Sequence, residues 1–166
     1  MVKKYHRAFG VYGIITIDNQ LVVIKKNGGP YINRFDLPGG SLEDGESLCK
    51  AIVREIKEET GLNAVNFEQL GVTSFKYPWR YERFEFNQHI CVFYKINKFD
   101  GDLVSQAAQF SGQDSLGAEL LSLTDLTSKN SSPLVLKAKE YLQNGGIFKT
   151  NDQVFKTWKV LDQPVF

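Results

Sequence analysis

Three carboxylates, Glu55, Glu58 and Glu59, fall at i, i+3 and i+4 in a stretch that reads as an amphipathic helix, so their side chains converge over one turn. They lie just before Gly61, a helix C-terminal stop, where the macrodipole already places partial negative charge. Like charges at that spacing cost roughly 0.2–0.5 kcal/mol per pair, and an anion at that end of the dipole costs about as much again. Carboxylate and carbonyl oxygens are the donors that Mg²⁺ or Mn²⁺ requires, and a divalent cation would turn the repulsion into attraction. The competing reading is a solvated acidic face partly neutralised by Arg54 and Lys57. Upstream, Pro38, Gly39 and Gly40 precede the loop into the helix, and paired glycines let a backbone carbonyl approach a ligand that a Cβ would hold off.

The elements that must position this cluster follow from periodicity. Leu48, Cys49, Ile52, Val53 and Ile56 form one apolar arc, which predicts a helix from about Asp44 to Thr60 that packs on a core. Before it, Arg7 to Ile17 and Gln20 to Lys25 are rich in β-branched and aromatic residues around Asp18-Asn19, a hairpin signal, and Lys26 to Arg34 reads as a loop. After it come strand character from Leu62 to Tyr77, a connection from Tyr77 to Phe84 dense in aromatics and arginines, and a clear strand from Phe86 to Ile96. Phe99 to Leu116 is a long loop by composition, and Glu119 to Leu123 a short strand. Ser132-Pro133 opens a second helix that Gly145-Gly146 ends, and the tail from Ile147, with a turn at Asn151-Asp152, suggests a last hairpin. Strands with two helices suit a mixed sheet covered by a helix on each face, in one α/β domain over 1–166 with a core at about 5–143 and a C-terminal extension at 147–166.

A net charge of +1 offers no polyanion-binding surface, so long nucleic acid is not an expected partner, whereas a small phosphorylated ligand needs only a local patch. Cys49 and Cys91 sit in apolar stretches without metal-ligand spacing and read as two buried free thiols in a reducing compartment. No signal-like or membrane-length apolar run is present in the sequence, and a cytoplasmic location away from membranes is expected.

Gly40, Glu46, Arg54, Glu55, Ile56, Glu58, Glu59, Gly61 and Leu62 occupy every fixed position of Gly-x5-Glu-x7-Arg-Glu-U-x-Glu-Glu-x-Gly-U, with U aliphatic. In this signature the chain resembles the Nudix hydrolases. The resemblance implies an α/β/α sandwich with a mixed β-sheet between helices, metal binding (Mg²⁺ or Mn²⁺) by Glu55, Glu58 and Glu59 with the carbonyl of Gly39 or Gly40, and hydrolysis of a nucleoside diphosphate linked to another moiety. Such a phosphoanhydride is protected by its own charge, so its hydrolysis needs cations more than a covalent nucleophile.

Within that chemistry Glu58 and Arg54 are the expected catalytic residues of the helix, Arg54 because its fork can hold a carboxylate bidentately and fix a ligand's orientation. Glu46 reads as structural, an acid suited to the first helical turn. A fourth acid is expected from outside the helix, among Glu82, Glu85 and Glu119. Glu119 is preferred because Gly117-Ala118-Glu119-Leu120 resembles the family's late acidic position, although Leu120 stands where an aromatic is usual. Tyr77, Trp79, Arg80 and Tyr81 offer flat faces and charge for a nucleotide, and an exposed hairpin tip or a dimer contact would look the same. His6 and His89 read as structural. The expected partner is a small nucleotide, with a homodimer common in the family. A Nudix-fold sensor that binds a nucleotide without cleaving it is the alternative function.

Overall fold

The computed structural model describes residues 3–166. Its elements are β1 (Tyr5–Ile14), β2 (Thr16–Ile17), β3 (Gln20–Lys26), β4 (Phe35–Asp36), β5 (Gly39–Gly40), α1 (Leu48–Thr60), β6 (Asn63–Tyr81), β7 (Phe84–Asp100), β8 (Ser115–Ser122), α2 (Pro133–Gln143) and β9 (Gln153–Val154). One sheet has the order β5-β1-β7-β6-β9, with β1 parallel to β7 and the rest of its central pairs antiparallel. A second sheet joins β2, β3 and β4, and β8 pairs with β3.

Strand alternation sends successive side chains into two different cores. Tyr12, Ile14, Leu21, Val23 and Phe93 join Leu134, Val135, Ala138 and Tyr141 of α2, whereas Val11, Ile15, Val22, Ile24 and Val92 join Ala51, Ile52 and Ile56 of α1. The helices therefore cover opposite faces, as the sequence pattern predicts. Among the described residues no helix is long and apolar enough to cross a membrane.

Several boundaries differ from the sequence reading. Asp18 and Asn19 do make a tight turn, both at positive φ (50° and 63°), but only Thr16 and Ile17 pair across it, because β1 departs into the other sheet beside β7. Helix α1 starts at Leu48, four residues later than expected, where Ser47 Oγ accepts the Lys50 N–H at 3.3 Å and caps the first turn. Cys91 is buried, but Cys49 is exposed, so the apolar arc is narrower than periodicity suggests. The aromatic connection is strand on both sides of a turn at Glu82 and Arg83.

The tail is a strap rather than a hairpin. β9 pairs in parallel with β6 at Phe75 and Lys76. Beyond it, Trp158 Nε1 donates to the Pro30 carbonyl (2.8 Å), Arg34 donates to the Lys159 carbonyl (3.0 Å), and Asn33 Nδ2 donates to the Leu161 carbonyl (2.7 Å). The Trp158 ring packs on Tyr31 and Tyr77, with centroids 5.6 and 5.2 Å away, and the Arg34 guanidinium lies over the ring at 4.9 Å. Trp158→Ala removes this half-buried contact and should lower unfolding free energy in urea by about 2 kcal/mol. A loss within a few tenths of a kcal/mol would show the strap to be a loose appendage.

Candidate active site

Arg54 uses all of its donors. Nε and Nη2 grip Glu46 bidentately (2.9 and 2.8 Å), Nη1 donates to Glu55 (2.9 Å) and Glu58 (3.2 Å), and Nη2 also reaches the Ser41 carbonyl (3.1 Å). One guanidinium thus ties the loop before α1 to two of the three clustered acids. Glu46 lies outside the helix and serves as the anchor for Arg54, not as a dipole partner in the first turn. Its carboxyl is held down to about 2, first by that hydrogen-bonded pairing and then by the Glu43 N–H. The Glu55 carboxyl is pushed above the usual range by burial, against the pull of Arg54.

Glu59 has a separate environment. It is buried, its Oε2 accepts the Gly39 N–H at 2.7 Å, and burial drives its carboxyl well up, opposed by the Lys26 charge and that N–H. The glycine pair allows two close approaches of the chain. Gly39 has φ +146°, and a Cβ there would lie 2.1 Å from the Val11 carbonyl oxygen, while a Cβ on Gly40 would lie 2.8 Å from Glu55 Oε1. What the glycines admit at close range is the β1 backbone at Gly39 and the Glu55 carboxylate at Gly40.

The donor set of Glu55, Glu58, Glu59 and the Gly40 carbonyl is all oxygen, as a hard divalent cation needs. Among the described residues no three carboxylate, imidazole or thiol side chains already converge as a chelate in the arrangement shown, where Arg54 draws Glu55 and Glu58 and the Gly39 N–H holds Glu59. The cradle left by the missing Cβ of Gly40 beside Glu55 fits such an ion at the Glu55 and Glu58 end of the cluster.

Glu55 and Glu58 form the acidic end of a cavity of about 430 Å³. Phe9, Tyr31, Trp79 and Phe110 contribute aromatic surface to it, and Tyr12, Asn87 and His89 contribute polar atoms. Lys26, buried in its wall, pairs with Asp114 at 2.6 Å. Asp36, also in the wall, accepts the Ser132 hydroxyl (2.6 Å) and the Leu37 N–H (2.9 Å) on one oxygen, and burial raises its carboxyl to about 6 despite Lys26.

The expected residues divide. Gly40, Arg54, Glu55, Glu58 and Trp79 line the cavity, and Glu59 is buried behind Gly39. Glu119 is exposed on β8 opposite Val23 and lies outside the cavity lining, as do Glu82 and Glu85 at the hairpin tip. The acid that reaches the cavity from that part of the chain is Asp114, in the glycine- and glutamine-rich segment read as featureless loop. Tyr77 is 1% exposed and belongs to the core, Arg80 is exposed outside the lining, and Tyr81 stacks on Trp79 at 5.1 Å. His6 and His89, read as structural, both line the cavity.

The profile of the NUDIX domain family matches residues 4–144. The chain belongs to the NUDIX domain family. A stretch of 77 residues is 48% identical to an ADP-ribose pyrophosphatase of Methanocaldococcus jannaschii, covering 44% of this chain and 46% of that protein. Another of 109 residues is 30% identical to a putative 8-oxo-dGTP diphosphatase of Bacillus subtilis, covering 66% of this chain and 62% of that protein. The chain thus spans less than two thirds of the length of either relative. The crystal structure of a MutT NUDIX hydrolase from Burkholderia pseudomallei shares the fold, with a TM-score of 0.64 at 21% identity over 81% of this chain and 97% of that one. Members of the family generally use divalent metal ions. The strap lies beyond the matched NUDIX region.

Asp36 gives this NUDIX site a pH signature. Its folded value near 6 exceeds the ordinary 3.8, so its contribution to stability is present in full below about pH 4 and is lost as pH rises through 6. Asp36→Asn keeps an oxygen for both donors and abolishes that loss. The unfolding free energy of the variant relative to wild type should therefore improve by roughly 2 kcal/mol between pH 4 and pH 7. A difference that does not change with pH would mean that Asp36 titrates as it does in the unfolded chain.

Proposed function

We propose that this NUDIX domain is a metal-dependent pyrophosphohydrolase that cleaves the diphosphate linkage of a nucleoside diphosphate joined to another moiety. The observation that carries the reading is a single cavity with Arg54-bundled acids at one end and aromatic surface elsewhere in its wall. The acidic end suits a diphosphate bridged by cations, and the aromatic surface suits a base or sugar.

In this reading Glu55, Glu58, Glu59 and the Gly40 carbonyl hold one or more Mg²⁺ or Mn²⁺ ions. Such an ion supplies charge neutralisation at the phosphate oxygens and lowers the pKa of a coordinated water. The remaining roles fall to side chains of this chain. Arg54 sets the orientation of Glu55 and Glu58, Trp79 offers a flat face to the nucleoside end, and the acid contributed from outside the helix is Asp114 in place of Glu119. ADP-ribose is the first substrate to test, since the 48% identical relative is named for it, and 8-oxo-dGTP is the second.

Release of AMP from ADP-ribose in Mg²⁺ or Mn²⁺ should fall by roughly 100-fold or more in Glu58→Gln, at an unchanged melting temperature. Wild-type turnover in that variant removes Glu58 from the metal site. Nucleotides of the panel that raise the melting temperature of the wild type yet stay intact in both metals would reassign the cavity to sensing.

A further inference from the structure

Under the cavity runs a chain of side-chain hydrogen bonds that joins its rim to its acidic end. His6 Nδ1 lies 2.9 Å from Asn87 Oδ1, Asn87 Nδ2 donates to Tyr77 Oη (2.7 Å), and the Tyr77 hydroxyl donates to Tyr31 Oη (2.9 Å). Tyr31 Oη is 3.0 Å from His89 Nδ1, and His89 Nε2 is 2.7 Å from Tyr12 Oη. The direction of each bond follows from counting protons. Tyr31 accepts from Tyr77, so its own proton has His89 Nδ1 as its acceptor. His89 is buried and its pKa is lowered to about 3, chiefly by desolvation, so the ring is neutral and carries one proton. With Nδ1 accepting, that proton is on Nε2 and is donated to Tyr12 Oη.

Tyr12 therefore accepts from His89, and its hydroxyl proton has no acceptor among the described residues. Its position gives that proton a use. Tyr12 lines the cavity, and Tyr12 Oη and the Gly40 carbonyl oxygen come within 2.7 and 2.8 Å of the same point, where a Cβ on Gly10 would stand. The hydroxyl thus stands beside the glycine that adjoins Glu55, where the acidic end meets the rest of the cavity.

We propose that Tyr12 is a substrate-binding residue that donates its hydroxyl proton to a phosphate oxygen of the bound nucleotide, and that the His6–Asn87–Tyr77–Tyr31–His89 relay keeps the proton free for it. The proposal rests on the reading of this cavity as a nucleoside diphosphate site. Reversal of the relay would require His89 to carry its proton on Nδ1 and Tyr12 to donate into the protein, and the phosphate would lose its donor. Tyr12→Phe keeps the ring and deletes the hydroxyl, which removes both the proton offered to the phosphate and the oxygen that accepts from His89 Nε2.

Two measurements on the full chain test this. Two-bond ¹⁵N–¹H correlation spectra of the ¹⁵N-labelled protein should show His89 protonated at Nε2 and bare at Nδ1. The opposite tautomer overturns the relay, whatever the cavity binds. In Mg²⁺ buffer, Tyr12→Phe should weaken binding of non-hydrolysable α,β-methylene ADP-ribose about tenfold, the scale of one hydrogen bond to a charged group, and leave binding of adenosine unchanged. Equal weakening of both probes would assign Tyr12 a purely structural role, and wild-type affinity for the analogue would remove it from the site. If the wild type binds neither probe, the nucleotide reading fails, and the tautomer still decides the relay.

Discussion

The guanidinium of Arg54 is the interaction on which the acidic end of the cavity depends. Glu55, Glu58 and Glu59 follow one another on a single helical turn, close to a helix end that is itself partly negative. Without a cation among them, that turn would splay its side chains into water. Arg54 sits one residue before the first of these acids and uses every N–H it has on Glu46, Glu55, Glu58 and the Ser41 carbonyl. Because Glu46 is anchored in the loop before α1, the same contacts fasten that loop to the helix. Charge compensation and loop geometry are one feature here, and a lysine, with no planar fork, would supply only the first.

Glu59 shows the opposite way of keeping a carboxylate in place. It takes no contact from Arg54 and is buried under the β5 backbone, satisfied by one N–H and by the field of Lys26. β5 itself is two glycines, whose missing Cβ atoms admit the β1 backbone at Gly39 and the Glu55 carboxylate at Gly40. Exposure therefore grades across the cluster, from Glu58 at 32% through Glu55 at 12% to Glu59 at 1%. The three acids enter any ionic chemistry from different starting energies, and Glu59 has the largest desolvation cost to recover.

The parts of this arrangement that were legible in the sequence are the local ones. The acid spacing, the Gly61 stop, the Ser132-Pro133 helix start and the helix on each face of the sheet follow from periodicity and caps within a few residues. Helix α1 starts later than the sequence suggests because Asp44 and Glu46 look like first-turn acids, whereas Ser47 provides the cap and Glu46 is held by a partner eight residues away. Glu119, preferred among Glu82, Glu85 and Glu119, lies outside the cavity lining for a reason of register. Position 119 alternates outward on β8, and Asp114 precedes that strand, where the loop folds back and Lys26 captures it. Nothing local marks such a pairing across almost ninety residues. The tail departs from the expected hairpin for the same reason, since Trp158, besides packing on Phe155, is a partner for Pro30 and Tyr31 far away in the chain.

Long-range contacts of this kind meet at Tyr31. Its ring faces the cavity, its hydroxyl joins Tyr77 and His89, and its outer face carries Trp158 of the strap. The cavity wall is thus braced from behind by a segment that lies outside the matched family region. Buried hydrogen-bonded hydroxyls are sensitive to displacement, because in a low-dielectric interior a bond stretched out of range leaves two unsatisfied groups where there had been none. A rigid backing for Tyr31 is therefore also a condition for the ordered protons beneath it. The charged end of the site tolerates movement, since ion pairs weaken gradually with distance, but the neutral end does not, and the strap packs against the neutral end.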